Sequence, residues 1–234
     1  MDQMPGSLPI YLQITELLIR DIAAGRLIDG EKLPPEREMA EGLGIAIGTL
    51  RKALAELQSR GMLERLQGSG NYIRAVSDPK SVYAMFRLEL LEGGGLPTAE
   101  VLDVTRLQKP QTLPQFGNAA DGHRIRRLRR LSGKPAALEE IWLDGAYAER
   151  ITPADLSESL YLFYRTRLGL RIVRAEDSIG LETVPDWAPR AFARQAGVPA
   201  LHILRISEAQ DGRRAEVSRT WVDHEVARYV SRLK

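Results

Sequence analysis

The chain has 234 residues, of which 44% are hydrophobic and 27% charged, and its formal net charge is +2. This composition is typical of a soluble globular protein with room for two domains, and the small net charge excludes a uniformly basic surface. The absence of cysteine excludes disulfides and thiolate metal sites, and His123, His202 and His224 lack the spacing of metal ligands. We therefore expect neither a metal ion nor a cofactor.

The sequence contains no membrane-spanning pattern. No apolar run approaches the roughly 20 residues that a helix needs to cross a bilayer. Residues 1–5 also lack the charged-then-apolar pattern of a signal peptide. We expect a cytoplasmic protein with no membrane partner.

Residues 34–44 predict a short helix followed by a tight turn. The two prolines at 34–35 disfavour a helix before them, and residues 36–40 then begin one with glutamates in its first turn. Gly42 and Gly44 end this helix quickly.

A second helix is predicted from about Ile47. Its apolar residues recur at a helical period and give one buried face: Leu50, Ala53, Leu54 and Leu57. The other face carries Thr49, Arg51 and Lys52 in the N-terminal half, which is the part of a recognition helix that meets base edges and phosphates in the major groove of DNA. Residues 44–74 hold five basic and two acidic residues, and this local excess suits phosphate contacts.

Two short strands are predicted after this helix, at residues 62–66 and 71–74, around a glycine-rich turn. Gly70 would let the backbone approach phosphates or the minor groove, and Arg65 and Ser69 are further candidate DNA contacts. A hairpin that follows a recognition helix is typical of the wing of a winged helix-turn-helix. The alternative is an ordinary hairpin turn.

Three segments carry a family resemblance: the opening residues 9–14, the lysine-leucine-proline-proline-glutamate-arginine run at 32–37, and residues 49–54. With them, residues 8–73 resemble the DNA-binding domain of the GntR family of bacterial transcription regulators. The resemblance implies that Arg37, Thr49 and Arg51 contact operator DNA and that Gly70 brings the wing into the minor groove.

The residues before Thr49 depart from that family pattern. Many members have valine-serine-arginine there, whereas this chain has isoleucine-alanine-isoleucine-glycine at 45–48. An arginine base contact and a serine cap are therefore absent, and the operator of typical members does not carry over to this chain.

We predict three regions: a winged helix-turn-helix domain at residues 1–75, a linker at 76–80, and an effector-binding and dimerisation domain at 81–234. Helices are predicted at 81–91, 157–168 and 186–196. Strands are predicted at 99–107, 123–131, 136–143, 171–182, 200–209 and 214–222. This order indicates an α+β domain around a mostly antiparallel sheet.

Arg127 and Arg129 are the leading candidates for an effector site. They are two residues apart in a predicted strand and so point to the same face. Two guanidinium groups favour an anion such as a sugar phosphate, a phosphonate or a small organic acid. The alternative is a solvated basic edge, because Arg124, Arg126 and Arg130 follow the same strand on its opposite face.

The second domain also resembles a known one, the UTRA ligand-binding domain of the HutC branch of the GntR family, whose fold is related to chorismate lyase. The similar segments are 127–129, 133–135, 137–140, 159–161, 174–176 and 215–218. The resemblance implies that Glu139, Glu216 and Ser218 reach hydroxyl or amine groups of the effector. Past the last segment, residues 221–225 depart from the pattern of that branch.

Three further side chains are open to two interpretations. Ser81 could bind an anion at the start of the first predicted helix or simply cap that helix. Trp142 and Trp221 could wall the pocket, or they could belong to the core, as strand tryptophans more often do.

Two functions remain from the sequence. The first is a homodimeric transcription regulator, expected to be a repressor, whose affinity for double-stranded operator DNA changes when a small anionic metabolite binds. The second is an enzyme of the chorismate-lyase type that acts on a small acid and carries a DNA-binding head. No catalytic residue can be assigned, because no histidine, nucleophile or metal accompanies the carboxylates.

Overall fold

A computed structural model describes residues 9–23, 25–74, 85–156 and 159–232. Among these, residues up to 87 together with 230–232 form one compact unit, and residues 88–229 form another. The predicted linker at 76–80 lies outside the described residues, as does Ser81.

The first unit is a three-helix cluster followed by a β-hairpin. Its elements are α1 (Ile10–Ala23), α2 (Glu36–Gly42), α3 (Ile47–Ser59), β1 (Leu63–Leu66) and β2 (Gly70–Ile73). The apolar stripe of α3 is fully buried, as are Ile14 of α1 and Ile73 of β2. β1 and β2 pair antiparallel, with Leu63 opposite Ile73. The predicted winged helix-turn-helix is confirmed.

The second unit is built on a six-stranded antiparallel sheet. Its strands are β4 (Pro97–Gln108), β5 (Asp121–Leu131), β6 (Lys134–Asp144), β7 (Ile172–Thr183), β8 (Pro199–Ala209) and β9 (Arg214–Val222). They lie in the order β4-β5-β6-β9-β8-β7, so β4 and β7 are the edges. β3 (Leu88–Leu90) and β10 (Ala227–Tyr229) form a separate antiparallel pair. The predicted α+β class and antiparallel sheet are confirmed.

Both faces of the sheet are covered. On one face α4 (Leu160–Arg167) packs through Phe163 and Tyr164 against Ile125 of β5 and Ile141 of β6. The opposite face carries Trp142 and Trp221, and it is covered by two irregular segments through the residues Leu113, Phe116, Val184 and Phe192. We refer to these as the α4 face and the tryptophan face.

The helix predicted at 81–91 is wrong for its C-terminal part. Residues 88–90 form β3, which pairs with β10 at the end of this unit, and Leu88, Glu89 and Leu90 are all buried. The sequence window carried a helical period, but pairing with a strand more than a hundred residues away decided the local conformation. Residues 81–84 lie outside the described residues.

The helix predicted at 186–196 is also wrong, since these residues form turns and bends. Pro189 lies in the first turn of the predicted span, where a proline removes no intrahelical hydrogen bond, so it does not by itself exclude a helix. Two backbone turns form instead, with Ala188 donating to Pro185 and Phe192 to Pro189. The apolar residues of this segment pack on the tryptophan face rather than along a helix stripe.

Within the described ranges, no helix has both the length and the apolar character that crossing a bilayer requires.

Candidate functional site

The predicted DNA contacts of the first unit lie on its surface. Arg51 and Lys52 are exposed on α3, and Thr49 is half-buried in the first turn of that helix. Arg37 is exposed as the second residue of α2. The residue that precedes α3 is Ala46, whose side chain makes no capping hydrogen bond, in agreement with the missing serine in the sequence.

Glu36, which the sequence did not single out, joins the recognition helix to the wing. Its carboxylate accepts a hydrogen bond from Arg51 Nε at 2.7 Å and forms an ion pair with Arg65 Nη2 at 3.2 Å. The hydrogen bond from Arg51 is the largest cause of a lowered Glu36 pKa; burial opposes it, and Asn71 and Arg65 add smaller contributions to the lowering. One carboxylate of α2 thus orients an arginine of α3 and an arginine of β1 on the same surface.

The tip of the wing is tightly folded. Ser69 Oγ and Tyr72 Oη lie 2.7 Å apart, within hydrogen-bond distance. Gly70 has φ +128°, a conformation that side-chain-bearing residues rarely adopt, and a Cβ there would come within 3.1 Å of Lys32 Cε. Glycine at position 70 therefore keeps the turn narrow beside a lysine.

The register of β5 and β6 places the predicted effector residues together. The two-residue turn of Ser132 and Gly133 has positive φ at both positions, as in a type I′ hairpin. This turn, together with a register shift between Arg129 and Arg130, brings Arg127 opposite Glu139. The predicted same-face placement of Arg127 and Arg129 is reflected in a shared partner.

Glu139 forms ion pairs with both arginines. Arg129 binds it with two parallel hydrogen bonds, from Nε at 3.1 Å and from Nη2 at 3.0 Å. Arg127 Nη2 lies 2.7 Å from Glu139 Oε2. All three side chains are buried. Burial alone raises the pKa of Glu139, but the two guanidinium groups outweigh burial and lower this pKa to about 2.

Glu216 forms a second buried cluster on the α4 face. It accepts hydrogen bonds from Tyr164 Oη at 2.6 Å and from Ser207 Oγ at 3.0 Å. Tyr161 Oη lies 3.0 Å from Ser207 Oγ. Burial raises the pKa of Glu216 despite these donors, and it raises the pKa of Tyr164 well above its usual value, with the Glu216 carboxylate adding to the effect.

A third polar cluster lies on the same face, at the β7 edge of the sheet. Arg205 of β8 binds Asp177 of β7 with two hydrogen bonds of 2.6 and 2.7 Å, and Tyr229 Oη donates to the same carboxylate at 2.7 Å. Ser218 is buried opposite Arg205 in the β8–β9 register. Ser218 therefore lies between this group and the Glu216 cluster.

Several members of these clusters come from β7, β8 and α4 and were not predicted from the sequence: Asp177, Arg205, Ser207, Tyr161 and Tyr164. One signal was available, because Arg205 and Ser207 alternate in a strand as Glu216 and Ser218 do. The spacing of Tyr161 and Tyr164 by three residues in a helix was another.

The remaining candidates lie on the tryptophan face. Trp142 and Trp221 are buried in the core of the tryptophan face, which confirms the core interpretation. The three arginines predicted on the opposite face of β5 form ion pairs of their own, Arg124 with Asp103, Arg126 with Glu140 and Arg130 with Glu100.

In the part of the chain that the structure describes, no three histidine or acidic side chains come together as a metal site would require. His123 Nε2 lies 2.8 Å from the carbonyl oxygen of Ala148. His202 packs against Trp221, with ring centroids 5.3 Å apart.

Comparison with known proteins agrees with both units. Residues 10–73 match the family of bacterial regulatory proteins called gntR, and residues 92–228 match the UTRA domain. The chain belongs to the GntR family, in its HutC branch. It is 69% identical to the HTH-type transcriptional regulator SmoD of Agrobacterium fabrum over 234 residues, which are 100% of both chains. This GntR-family chain is therefore a transcription regulator with a DNA-binding head and an effector domain, not an enzyme.

Two more distant proteins are also similar. The mannosyl-D-glycerate transport/metabolism system repressor MngR of Escherichia coli is 29% identical over 226 residues, 92% of this chain and 91% of the relative. The ligand-binding domain of a GntR-family regulator from Bordetella bronchiseptica shares the fold with a TM-score of 0.54 at 23% identity. That comparison covers 63% of this chain and 96% of the other.

Proposed function

We propose that this regulator is a homodimeric repressor and that a small anionic metabolite, bound on the α4 face, changes its affinity for operator DNA. The observation that carries the effector class is the pairing of two buried guanidinium groups, Arg127 and Arg129, with the single carboxylate of Glu139. Sugar phosphates, phosphonates and small organic acids are the leading ligands.

The arginines of the α4 face support an anion. Arg205 is matched by the carboxylate of Asp177, whereas Arg127 and Arg129 share the single carboxylate of Glu139. The cluster of these last three side chains therefore holds one positive charge in excess. A positive charge in a region of low dielectric attracts an anion more strongly than the same charge in water would.

Glu139, Glu216 and Ser218 offer oxygen atoms on the same face to hydroxyl or amine groups of the ligand. Ser81 stays a candidate from the sequence. MngR is by its name a repressor of a system for mannosyl-D-glycerate, and a glycerate carries a carboxylate. This name is consistent with the repressor and organic-acid parts of the proposal.

In the DNA-binding domain we assign operator contacts to the exposed surface of α2, α3 and the wing. The residues are Arg37, Thr49, Arg51, Lys52, Arg65, Ser69 and Gly70. Four of them are cationic and can neutralise phosphates, which gives salt-dependent affinity, and those on α3 are placed to read base edges. The effector can change this affinity only by binding one arrangement of the dimer more tightly than another.

The edge strand β7 supports a dimer formed with a second copy of the chain. β7 has twelve residues, and Val173, Ile179 and Leu181 are exposed on it. Leu181 retains 76% of its surface. A long exposed strand with apolar side chains offers both unpaired backbone groups and apolar area to another chain.

Leu181→Lys should therefore shift the protein from dimer to monomer, because it places a charge in the proposed interface. Leu107→Lys is a matched control, since Leu107 is an exposed leucine on the opposite edge strand β4. Sedimentation velocity at several protein concentrations measures the change. Equal dimer fractions in the two variants would exclude β7 as the interface.

The effector proposal is tested by a thermal-shift screen of the purified protein against phosphorylated sugars, phosphonates and small organic acids. A ligand that binds the native state raises the melting temperature by mass action, and we expect such an increase with at least one anion. Arg127→Met should abolish the increase. Arg126→Met is the control, because Arg126 is adjacent in β5 but pairs with Glu140 instead.

The outcome that contradicts the anion proposal is a screen in which only neutral compounds stabilise the protein. If the ligand raises the melting temperature of Arg127→Met as much as that of Arg126→Met, the assigned site is contradicted. Neither outcome would affect the assignment as a DNA-binding regulator, which rests on the first domain.

A further inference from the structure

The start of the recognition helix α3 presents an apolar surface where such a helix meets DNA. Ile47 is the first residue of α3 and is 37% exposed, and Ala46 and Gly48 on either side of it are also exposed. None of these three side chains has a hydrogen-bonding group. Polar side chains that could read a base begin only at Thr49.

Ile47 borders a hollow of about 460 Å³ between α2 and the beginning of α3. The hollow is lined by Arg37, Ala40, Glu41, Ile45 and Ile47. The lining that α3 and the preceding turn contribute is aliphatic, and α2 contributes the two charged groups.

The surroundings of Ile47 favour DNA as the occupant of this hollow. Arg51 follows Ile47 by four residues, so the two side chains are neighbours on the surface of the helix. Arg37 lines the other side. An aliphatic hollow with arginines beside it suits a molecule that brings both an apolar group and negative charge. Duplex DNA has both, because phosphates border the major groove and the C5-methyl group of thymine projects into it.

We propose that Ile47 is a specificity-determining residue that contacts the C5-methyl group of a thymine in each operator half-site. The contact rests on the DNA-binding role of this domain and adds a base preference to it. Ile47 offers no donor or acceptor to guanine or adenine, whereas apolar contact is the usual way in which a thymine methyl group is read. The operator therefore carries an A·T pair, with its thymine methyl toward Ile47, opposite the start of α3.

The test begins with selection of bound duplexes from a randomised library by the full-length protein. Each thymine of the selected half-site is then replaced by deoxyuridine, which removes only the methyl group. At one thymine, the wild-type protein should lose about fourfold in affinity, the value of one buried methyl-sized group. Ile47→Ala should bind the thymine and deoxyuridine duplexes equally at that position and still discriminate between them elsewhere.

Ile28→Ala is the control, because Ile28 is an exposed isoleucine of the same unit outside the helices. It should keep the full methyl dependence of the wild type. The inference is overturned if Ile47→Ala retains the methyl dependence at every thymine, or if the wild type shows none. A library from which the protein selects no sequence would instead contradict specific DNA binding, and with it the basis of this inference.

Discussion

Replacing Glu139 with glutamine is expected to lower the free energy of unfolding by about 3–5 kcal/mol, the usual cost of removing one partner from a buried ion pair. The substitution keeps the shape of the side chain but leaves Arg127 and Arg129 buried without the carboxylate that they share. The two guanidinium groups then also repel each other, as the effect of Arg129 on the pKa of Arg127 indicates. Urea unfolding at neutral pH measures the loss.

Glu100→Gln is a matched control for this prediction. Glu100 also pairs with an arginine of β5, Arg130, at 3.3 Å, but its side chain is 48% exposed. Exposed ion pairs contribute less than about 1 kcal/mol, so the control should be close to the wild type. If both variants lose the same free energy of unfolding, burial is not the reason that the ion pairs of Glu139 stabilise the protein.

The effect of Glu139→Gln should depend on pH in a defined direction. The pKa of Glu139 is lowered from 4.5 to about 2, so its stabilisation is complete above pH 4.5 and is lost as the pH falls from there to about 2. The difference in unfolding free energy between wild type and variant should shrink in that window. Glu216, whose pKa is raised, acts in the opposite direction but is present in both proteins, so its contribution cancels.

Arg51→Ala is expected to weaken operator binding by about 1–3 kcal/mol for each half-site, as is usual for the loss of an arginine that contacts a base. Arg51 is 61% exposed on α3, so its removal should change the stability of the domain little. Glu36 would keep Arg65 as a partner. Fluorescence anisotropy with a labelled operator duplex, at one fixed salt concentration, measures the change.

Arg213→Ala is the matched control for Arg51→Ala. Arg213 is also 61% exposed and also pairs with a carboxylate, that of Asp211 at 2.6 Å, but it lies in the effector domain. Its replacement lowers the net charge by the same amount without touching the recognition helix. If both variants weaken binding equally, the affinity reflects overall charge rather than a contact made by α3.

The sequence was sufficient to predict the local structure wherever local signals and tertiary contacts favour the same conformation. The alternation of Glu216 with Ser218 and the glycines of the wing each predict a local structure that the fold retains. The sequence-based prediction was wrong at residues 88–90 and 186–196. Residues 88–90 have a helical period in the sequence, but they form a strand because they pair with residues 227–229. At 186–196 the apolar residues are spaced as in a helix, but they pack against the sheet as turns and bends.

The candidate site was predictable only in part for a related reason. Strand alternation placed Arg127 and Arg129 on one face, but their shared use of Glu139 depends on the register set by the Ser132–Gly133 turn and by the irregularity between Arg129 and Arg130. The contacts of Glu36 with Arg51 and Arg65 join residues 15 and 29 positions apart and need the assembled domain. Arg205 and Tyr164 reach the same face from β8 and α4, which no local pattern specifies.

The central claim is that an anion on the α4 face changes the affinity of the winged helix for operator DNA. The most direct test is the operator dissociation constant of the wild type with and without a saturating amount of the anion identified by thermal shift. We predict a change of at least about fivefold, the lower end of usual allosteric couplings, and no change in Arg127→Met. An operator affinity that stays the same while the anion is bound would contradict the claim.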